Sequence, residues 1–310
     1  MAYLETLQKH NADLQELIEK ANTLPEKSDV AKELDSLIDG TITEVNSGVT
    51  NICDYAFRAR SELTSVNFPN ATVIGQYAFY SCSGLTSAYF PNATNINTGM
   101  FYECSSLASV DIPKATKISN QMFYSCKELS SANFPNATSI GDYAFNMCQR
   151  LESINIPSAT SIGSNSFGSC HILISVDFPN VTKISSSAFY NCFALTSANF
   201  PKVTNIGTQA FNGSYSLKAV ILRSETMCTL SNTNAFASCR HFLGTVDNIY
   251  NPNGDKDGYF YVPRALLSDD DATKDYRRAT NWSTYATQFR ALEDYTVDGT
   301  ITGELDPNKI

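Results

Sequence analysis

Leu63-Thr64-Ser65-Val66-Asn67-Phe68-Pro69-Asn70-Ala71-Thr72-Val73-Ile74-Gly75-Gln76-Tyr77-Ala78-Phe79-Tyr80-Ser81-Cys82 is a frame that returns 22 residues later and then keeps returning. Leucine recurs from Leu63 through Leu85, Leu107 and Leu129 to Leu217, and phenylalanine from Phe57 through Phe79, Phe101 and Phe123 to Phe211. Proline holds the same step from Pro69 to Pro201, and cysteine from Cys82 to Cys192. A fixed period in the twenties marks a solenoid, in which each repeat buries its apolar face only against its neighbours.

Within one rung, Leu63, Val66 and Phe68 alternate inward on a short strand and leave Ser65 and Asn67 on the outer sheet face. Pro69 has no N–H and ends the pairing. Asn70 and Thr72 form a turn, Ile74 returns to the core, and Ala78, Phe79 and Cys82 fall on a short helical turn that closes the coil. The whole reads as an α/β solenoid of leucine-rich repeats, with 22-residue rungs, short parallel strands and helical N- and C-terminal caps. The expected organisation is N-terminal helices over residues 1–40, the repeat solenoid over 41–246, a last strand and helical cap over 247–293, and a flexible tail over 294–310.

Of 310 residues, 43% are hydrophobic and 17% charged, the balance of an ordered chain. The net charge of −9 argues against nucleic acid or an anionic membrane as partner, because both demand a basic surface. No run of about 18 apolar residues exists, so no membrane insertion is expected. Residues 1–24 are amphipathic and charged and lack the apolar centre of a signal peptide. The protein then stays inside, leaves by lysis, or has lost its leader. Nine cysteines is an odd count, and six lie on the repeat lattice. They read as a column of reduced, buried thiols, although rungs about 4.8 Å apart are close enough for a strained bridge.

Leu4, Leu7, Asn11, Leu14, Ile18 and Ala21 alternate in steps of three and four, a heptad seam with one polar residue. It either folds back as an N-terminal cap or joins copies of the chain in a short coiled coil, giving a homo-oligomer. Ser28 reads as the N-cap of a second helix that ends at Gly40. At the other end the frame slips after Leu222, and Phe236 and Cys239 arrive late. Tyr259-Phe260-Tyr261-Val262-Pro263 reads as one last strand. Leu266, Leu267, Tyr276, Trp282, Tyr285 and Phe289 follow at helical spacing.

No catalytic set can be assembled. His10, His171 and His241 are far apart in the frame. Asn253-Gly254-Asp255-Lys256-Asp257-Gly258 imitates the start of a calcium loop, but Arg264 stands where the bidentate acid belongs, so no metal and no cofactor are expected. Asp269-Asp270-Asp271 reads as a solvated helix end or loop. The Asn-x-Thr triplets at Asn70, Asn92, Asn136 and Asn180 fit glycosylation, but turn chemistry explains them without sugar.

The leading binding candidate is the outer sheet face, with the column Asn67, Tyr89, Asp111, Asn133, Asn155, Asp177 and Asn199 beside a column of serines. Such a ladder can engage a polysaccharide or an extended peptide, or its amides and hydroxyls can simply bond to one another up the stack. A rival surface carries Tyr80, Tyr102, Tyr124 and Tyr190 on the return side of the rungs.

The frame L-x-x-V-x-F-P followed by I-G-x-x-A-F-x-x-C resembles the BspA-like leucine-rich repeat of bacterial surface and secreted proteins over residues 52–239. Ile140-Gly141-Asp142-Tyr143-Ala144-Phe145 with Cys148 fits it residue for residue. The rungs are one residue shorter than the family's usual form, in the turn after proline. The chain ends resemble repeat proteins of phages and prophages of gut Firmicutes, at Asn11-Ala12-Asp13-Leu14-Gln15, Tyr261-Val262-Pro263, residues 279–286 and Asp298-Gly299-Thr300. Leu267-Ser268-Asp269-Asp270-Asp271-Ala272 departs from that ending. The resemblance implies a non-enzymatic scaffold for binding or adhesion. Its ends imply a virion component at a tail or capsid surface that binds a receptor. The alternative it implies is a bacterial surface adhesin for a host glycoprotein or polysaccharide. The expected location is correspondingly the virion or the cell surface and extracellular space.

Overall fold

The computed structural model describes residues 44–46, 48–243, 256–268, 272–292, 296–297 and 300–301. The seam Leu4, Leu7, Asn11, Leu14, Ile18 and Ala21, the second helix up to Gly40, and Asp269 to Asp271 lie outside the described residues. The chain divides into two compact units, Met1–Ile156 and Pro157–Ile310.

In the first unit the three-residue strands Ser65–Asn67, Ser87–Tyr89 and Ser109–Asp111 pair in parallel, each residue facing its counterpart one repeat on. Glu44–Asn46 joins the edge, with Val45 opposite Val66. Ser131–Asn133 and Ser153–Asn155 form a further parallel pair. A second ladder of two-residue strands runs through Asn51–Ile52, Val73–Ile74 and Asn95–Ile96. In the first ladder the strands from Ser65–Asn67 onward are short because a proline two residues past each one stops the pairing. Alternation does the rest: in Ser65–Asn67 only the middle residue is buried.

The return half of the rung departs from expectation. In place of a helical turn at Ala78, Phe79 and Cys82 there are two tight turns whose key residues have positive φ, Tyr77 at 52° and Ser81 at 55°. Gln121 with Ser125 and Tyr143 with Met147 repeat the pair. A helix would direct every N–H back onto its own carbonyls. The twin turns instead aim alternate N–H groups along the stack, so that Tyr77, Phe79 and Ser81 donate to Thr98, Met100 and Tyr102 of the next rung. The left-handed region costs a non-glycine residue about 1–2 kcal/mol, and the inter-rung bonds offset it.

Inside, Phe57, Phe79, Phe101, Phe123 and Phe145 superpose in one column with ring centroids 5.0, 5.6, 5.7 and 5.2 Å apart. A second column carries Phe68 on Phe90 at 5.4 Å. Its rings tilt against the first, as in Phe68 against Phe79 at 6.1 Å. The cysteine column is a hydrogen-bonded ladder of free thiols. Cys82 Sγ donates to the Phe57 carbonyl at 2.9 Å, and Cys126 to that of Phe101 at 3.1 Å. The asparagine triplets are also a ladder: Asn92 Nδ2 donates to the Pro69 carbonyl at 2.7 Å and Asn136 Nδ2 to that of Pro113 at 2.9 Å. This is the turn chemistry expected of them.

The second unit repeats the plan. Ser175–Asp177, Ser197–Asn199, Ala219–Ile221, Tyr259–Val262 and Phe289–Ala291 form five parallel strands in that order. Phe167, Phe189, Phe211 and Phe236 stack at 5.2, 5.1 and 5.1 Å. The late Phe236 therefore keeps its column, with two extra residues taken up between Leu222 and Thr229 and one between Leu230 and Phe236. Ser214 replaces cysteine without breaking the ladder, since its Oγ donates to the Phe189 carbonyl at 2.8 Å.

A helical C-terminal cap is not what closes this unit. Leu266, Tyr276, Trp282, Tyr285 and Phe289 are buried as expected, but Leu266 and Tyr285 stand on the 3-10 turns Arg264–Leu266 and Ser283–Gln288, Tyr276 and Trp282 on the irregular backbone between them, and Phe289 on the added strand Phe289–Ala291. The reason lies in their polar tips. Trp282 Nε1 donates to the Cys228 carbonyl at 2.7 Å, Tyr285 OH donates to that of Thr233 at 2.9 Å, and Tyr276 OH accepts from the Cys228 N–H. Anchoring three rings to one exposed repeat edge demands an irregular backbone. Near the terminus, Thr296–Val297 pairs antiparallel with Thr300–Ile301. Among the described residues no helix is long and apolar enough to cross a membrane.

Candidate functional site

Strand register places Asn67, Tyr89 and Asp111 opposite one another, Asn133 opposite Asn155, and Asp177 opposite Asn199. Part of this face is engaged with itself. Asn155 Nδ2 donates to Asn133 Oδ1 at 2.9 Å, and Asn199 Nδ2 to Asp177 Oδ1 at 2.9 Å. Beside Tyr89, which is 43% exposed, Ser87, Ser109 and Asp111 line a shallow depression of about 270 Å³. In the second unit the same outer positions turn apolar, and Ala219, Ile221 and Tyr261 pack with Leu292 in a buried cluster.

The return side of the first unit carries a larger depression. Two columns run there three residues apart in each rung, Tyr55, Tyr77, Gly99 and Gln121 in one and Arg58, Tyr80, Tyr102 and Tyr124 in the other. Tyr55 stacks on Tyr77 at 5.5 Å, Tyr80 lies 5.4 Å from Tyr102, and Tyr102 stacks on Tyr124 at 4.5 Å. Tyr77 meets Tyr102 edge-on at 6.0 Å, which ties the columns together. The Arg58 guanidinium lies 5.3 Å from the centre of the Tyr80 ring and 5.9 Å from that of Tyr55.

Gly99 opens this site. Its φ is +64°, and a Cβ there would run into the Tyr77 ring. The missing side chain lets Tyr77 lean across and donate its hydroxyl to Gln121 Oε1, two rungs away, at 2.8 Å. Between the columns is a cavity of about 410 Å³, lined by Tyr55, Arg58, Tyr77, Tyr80, Tyr102 and Gln121. Burial, reinforced by neighbouring phenols and at Tyr102 also by the Glu103 carboxylate, pushes the Tyr77 and Tyr102 hydroxyls up from their ordinary value of 10.0, so they are neutral at physiological pH.

Of the four tyrosines singled out in the sequence, Tyr80, Tyr102 and Tyr124 meet here, and Tyr190 belongs to the other unit. Tyr55, Arg58, Tyr77 and Gln121 escape sequence reasoning, although each lies on the 22-residue lattice. Nothing in the period says that two lattice columns converge.

The histidines have other work. His171 stacks on Phe193 at 4.5 Å, and burial lowers its pKa. His241 Nδ1 contacts the Asp257 carboxylate, whose other oxygen pairs with Lys218 Nζ at 2.7 Å. Among the described residues no group of three or more His, Cys, Asp or Glu is placed to hold a metal ion.

A sequence profile described as a BspA type leucine rich repeat region matches residues 39–149 and 138–247, together more than half of the chain. The chain belongs to the BspA-type leucine-rich-repeat family. Among solved structures, this BspA-type chain is similar to a leucine-rich cell surface protein of Faecalibacterium prausnitzii A2-165, with 19% identity and a TM-score of 0.38 over 77% of this chain and 86% of that one. It is similar to a leucine-rich repeat protein of Bacteroides ovatus at 20% identity and TM-score 0.37, over 62% and 70% of the two chains. It is also similar to the pneumococcal vaccine antigen PcpA at 14% identity and TM-score 0.39, over 81% and 78%. No curated protein matches the chain. The BspA-type solenoid is typically a non-enzymatic repeat scaffold.

Proposed function

We propose that this BspA-type chain is a non-enzymatic binding and adhesion scaffold that works outside the bacterial cell and holds a host glycoprotein or polysaccharide on its repeat surface. The observation that carries this reading is the tyrosine–arginine groove between the two columns, held by ring pairs 4.5–5.5 Å apart. Its side chains stand on rungs locked through backbone ladders. Little freedom is then lost when a ligand docks, which favours affinity. Tyrosine and arginine are the side chains most enriched where interfaces concentrate their binding energy. The sheet face around Tyr89 and Asp111 is the second surface available to an extended ligand. The virion reading draws on the chain ends, and neither the groove nor the family match adds to it.

The test is saturable binding of the labelled full chain to epithelial cells and to mucin, before and after glycosidase treatment. The expected result is saturable binding that Tyr80→Ala with Tyr102→Ala weakens at least tenfold and that Asn133→Ala with Asn155→Ala leaves intact. Loss of binding in the asparagine variant alone would move the ligand to the sheet face. No saturable binding on either surface would contradict the adhesion reading.

A further inference from the structure

We propose that the groove lined by Tyr55, Arg58, Tyr77, Tyr80, Tyr102 and Gln121 takes an acidic sugar, a pyranose ring carrying a carboxylate, of the uronic or sialic acid kind. The proposal rests on the binding reading above and names the chemistry of its ligand. The cavity of about 410 Å³ lies within the range of small-ligand sites, about 300–1,000 Å³. Its walls are tyrosine rings whose faces carry the negative end of the aromatic quadrupole. The C–H face of a pyranose packs flat on such a surface, and the sugar hydroxyls remain free at its edge. Neutral phenols on Tyr77 and Tyr102, and the Nε2 of Gln121, whose Oε1 already accepts from Tyr77, supply polar groups for those hydroxyls.

Arg58 decides between a neutral and an acidic sugar. Its guanidinium lies over Tyr80 and Tyr55, which fixes the plane and leaves the N–H edge for an acceptor. Among the described residues no carboxylate pairs with it. The nearby acids are engaged elsewhere. Asp54 accepts from the backbone N–H of Gln76 at 3.0 Å, and Glu103 from the Ser81 hydroxyl at 3.0 Å. A guanidinium edge matches a carboxylate bidentately. The same charge repels a quaternary ammonium, the other ligand that clustered aromatic rings favour. A polyphosphate or nucleic acid is disfavoured by the chain's net charge of −9. A single carboxylate on a flat ring satisfies both constraints.

The experiment is saturation-transfer NMR and calorimetry on the full chain with methyl β-D-glucuronide, the methyl glycoside of N-acetylneuraminic acid, methyl β-D-glucoside and choline. At least one acidic glycoside should bind at least tenfold more tightly than the glucoside, and choline should give no signal. Arg58→Gln, at an exposed position, should bring the acidic glycoside to the level of the glucoside without moving the urea midpoint. Tyr102→Phe should keep the ring contacts and retain most of the binding, whereas Tyr102→Ala should abolish it. Equal binding of glucoside and acidic glycosides, preferential binding of choline, or an Arg58→Gln chain that binds like the parent would each overturn the proposal. If groove variants lose cell binding while no acidic glycoside binds, the ligand class is wrong and the binding function stands. If groove variants keep cell binding, the functional reading itself has failed.

Discussion

The thiol of Cys104 donates to the carbonyl oxygen of Phe79 in the preceding rung at 2.9 Å. Phe79 N–H donates to the Met100 carbonyl of that same following rung. The residue that fills the column is thus tied to the next rung at both its N–H and its carbonyl. Cysteine supplies a compact donor at a site too tight and too apolar for most polar side chains. Ser214 in the second unit makes the same bond with oxygen in place of sulfur.

Cys104→Ala should destabilise the chain by about 0.5–1.5 kcal/mol, because the buried Phe79 carbonyl loses one of its two donors and keeps only the Cys82 N–H at 3.2 Å. Cys104→Ser should cost less, since the hydroxyl restores the bond as Ser214 does. Urea unfolding of the two variants compares them. Equal midpoints for alanine and serine would reduce the column to packing alone.

The ladder thiols should be chemically silent in the folded chain. Burial pushes the Cys192 thiol up from its ordinary 9.0 to about 12, only partly countered by a backbone hydrogen bond, and drives Cys126 and Cys148 upward as well. Only Cys53 among the nine is not buried. Iodoacetamide at pH 8 should label Cys53 first and the remainder only on unfolding. A folded thiol pKa above the unfolded one means that its contribution is intact below about pH 8.5 and is lost as pH rises toward the folded value. The urea midpoint should therefore fall between pH 9 and pH 12, and a flat profile there would argue against neutral buried thiols.

Phe101→Ala should cost about 3–5 kcal/mol, because it opens a cavity between two stacked rings in a fully buried column. Phe101→Leu should cost less than half as much. A loss under about 1 kcal/mol for alanine, read from calorimetry or urea unfolding, would mean that the column is not the core.

Asp275 is fully buried and accepts from the backbone N–H of Arg277 at 3.0 Å and from its Nε at 2.8 Å, with Arg278 Nε 3.2 Å from its other oxygen. Burial alone would raise its pKa, but the hydrogen bonds and charge of Arg277, followed by the charge of Arg278, hold it below the usual 3.8. Its contribution is present above that value and lost as pH falls beneath it. Asp275→Asn should lower stability at pH 7 by about 1–3 kcal/mol, since Arg277 and Arg278 stay partly solvated, and should flatten the acid limb of the stability profile below pH 4. An unchanged acid limb would remove Asp275 as its cause.

The repeat frame was legible because phenylalanine, leucine and cysteine recur at one step, and a step that constant admits one stacking solution. The return turn was not, because Ala78, Phe79 and Cys82 have helical spacing and the positive φ of Tyr77 and Ser81 leaves no glycine to betray it. The C-terminal closure misled for a related reason. Tyr276, Trp282, Tyr285 and Phe289 sit at intervals close to helical turns, but their order is set by where Cys228 and Thr233 offer backbone partners. The outer sheet column was read correctly as a register, yet its amides turn partly onto one another. The groove was written in two columns that the eye separates, with Gly99 as the one break in the first.

The most direct test places scaffold and surface in one experiment: the affinity of the Tyr80→Ala, Tyr102→Ala chain for mucin, measured with its urea midpoint. A preformed groove on a separately stabilised stack predicts binding at least tenfold weaker than the parent with a midpoint within about 0.5 M of it. Undiminished mucin binding by a chain that has lost both rings would contradict it.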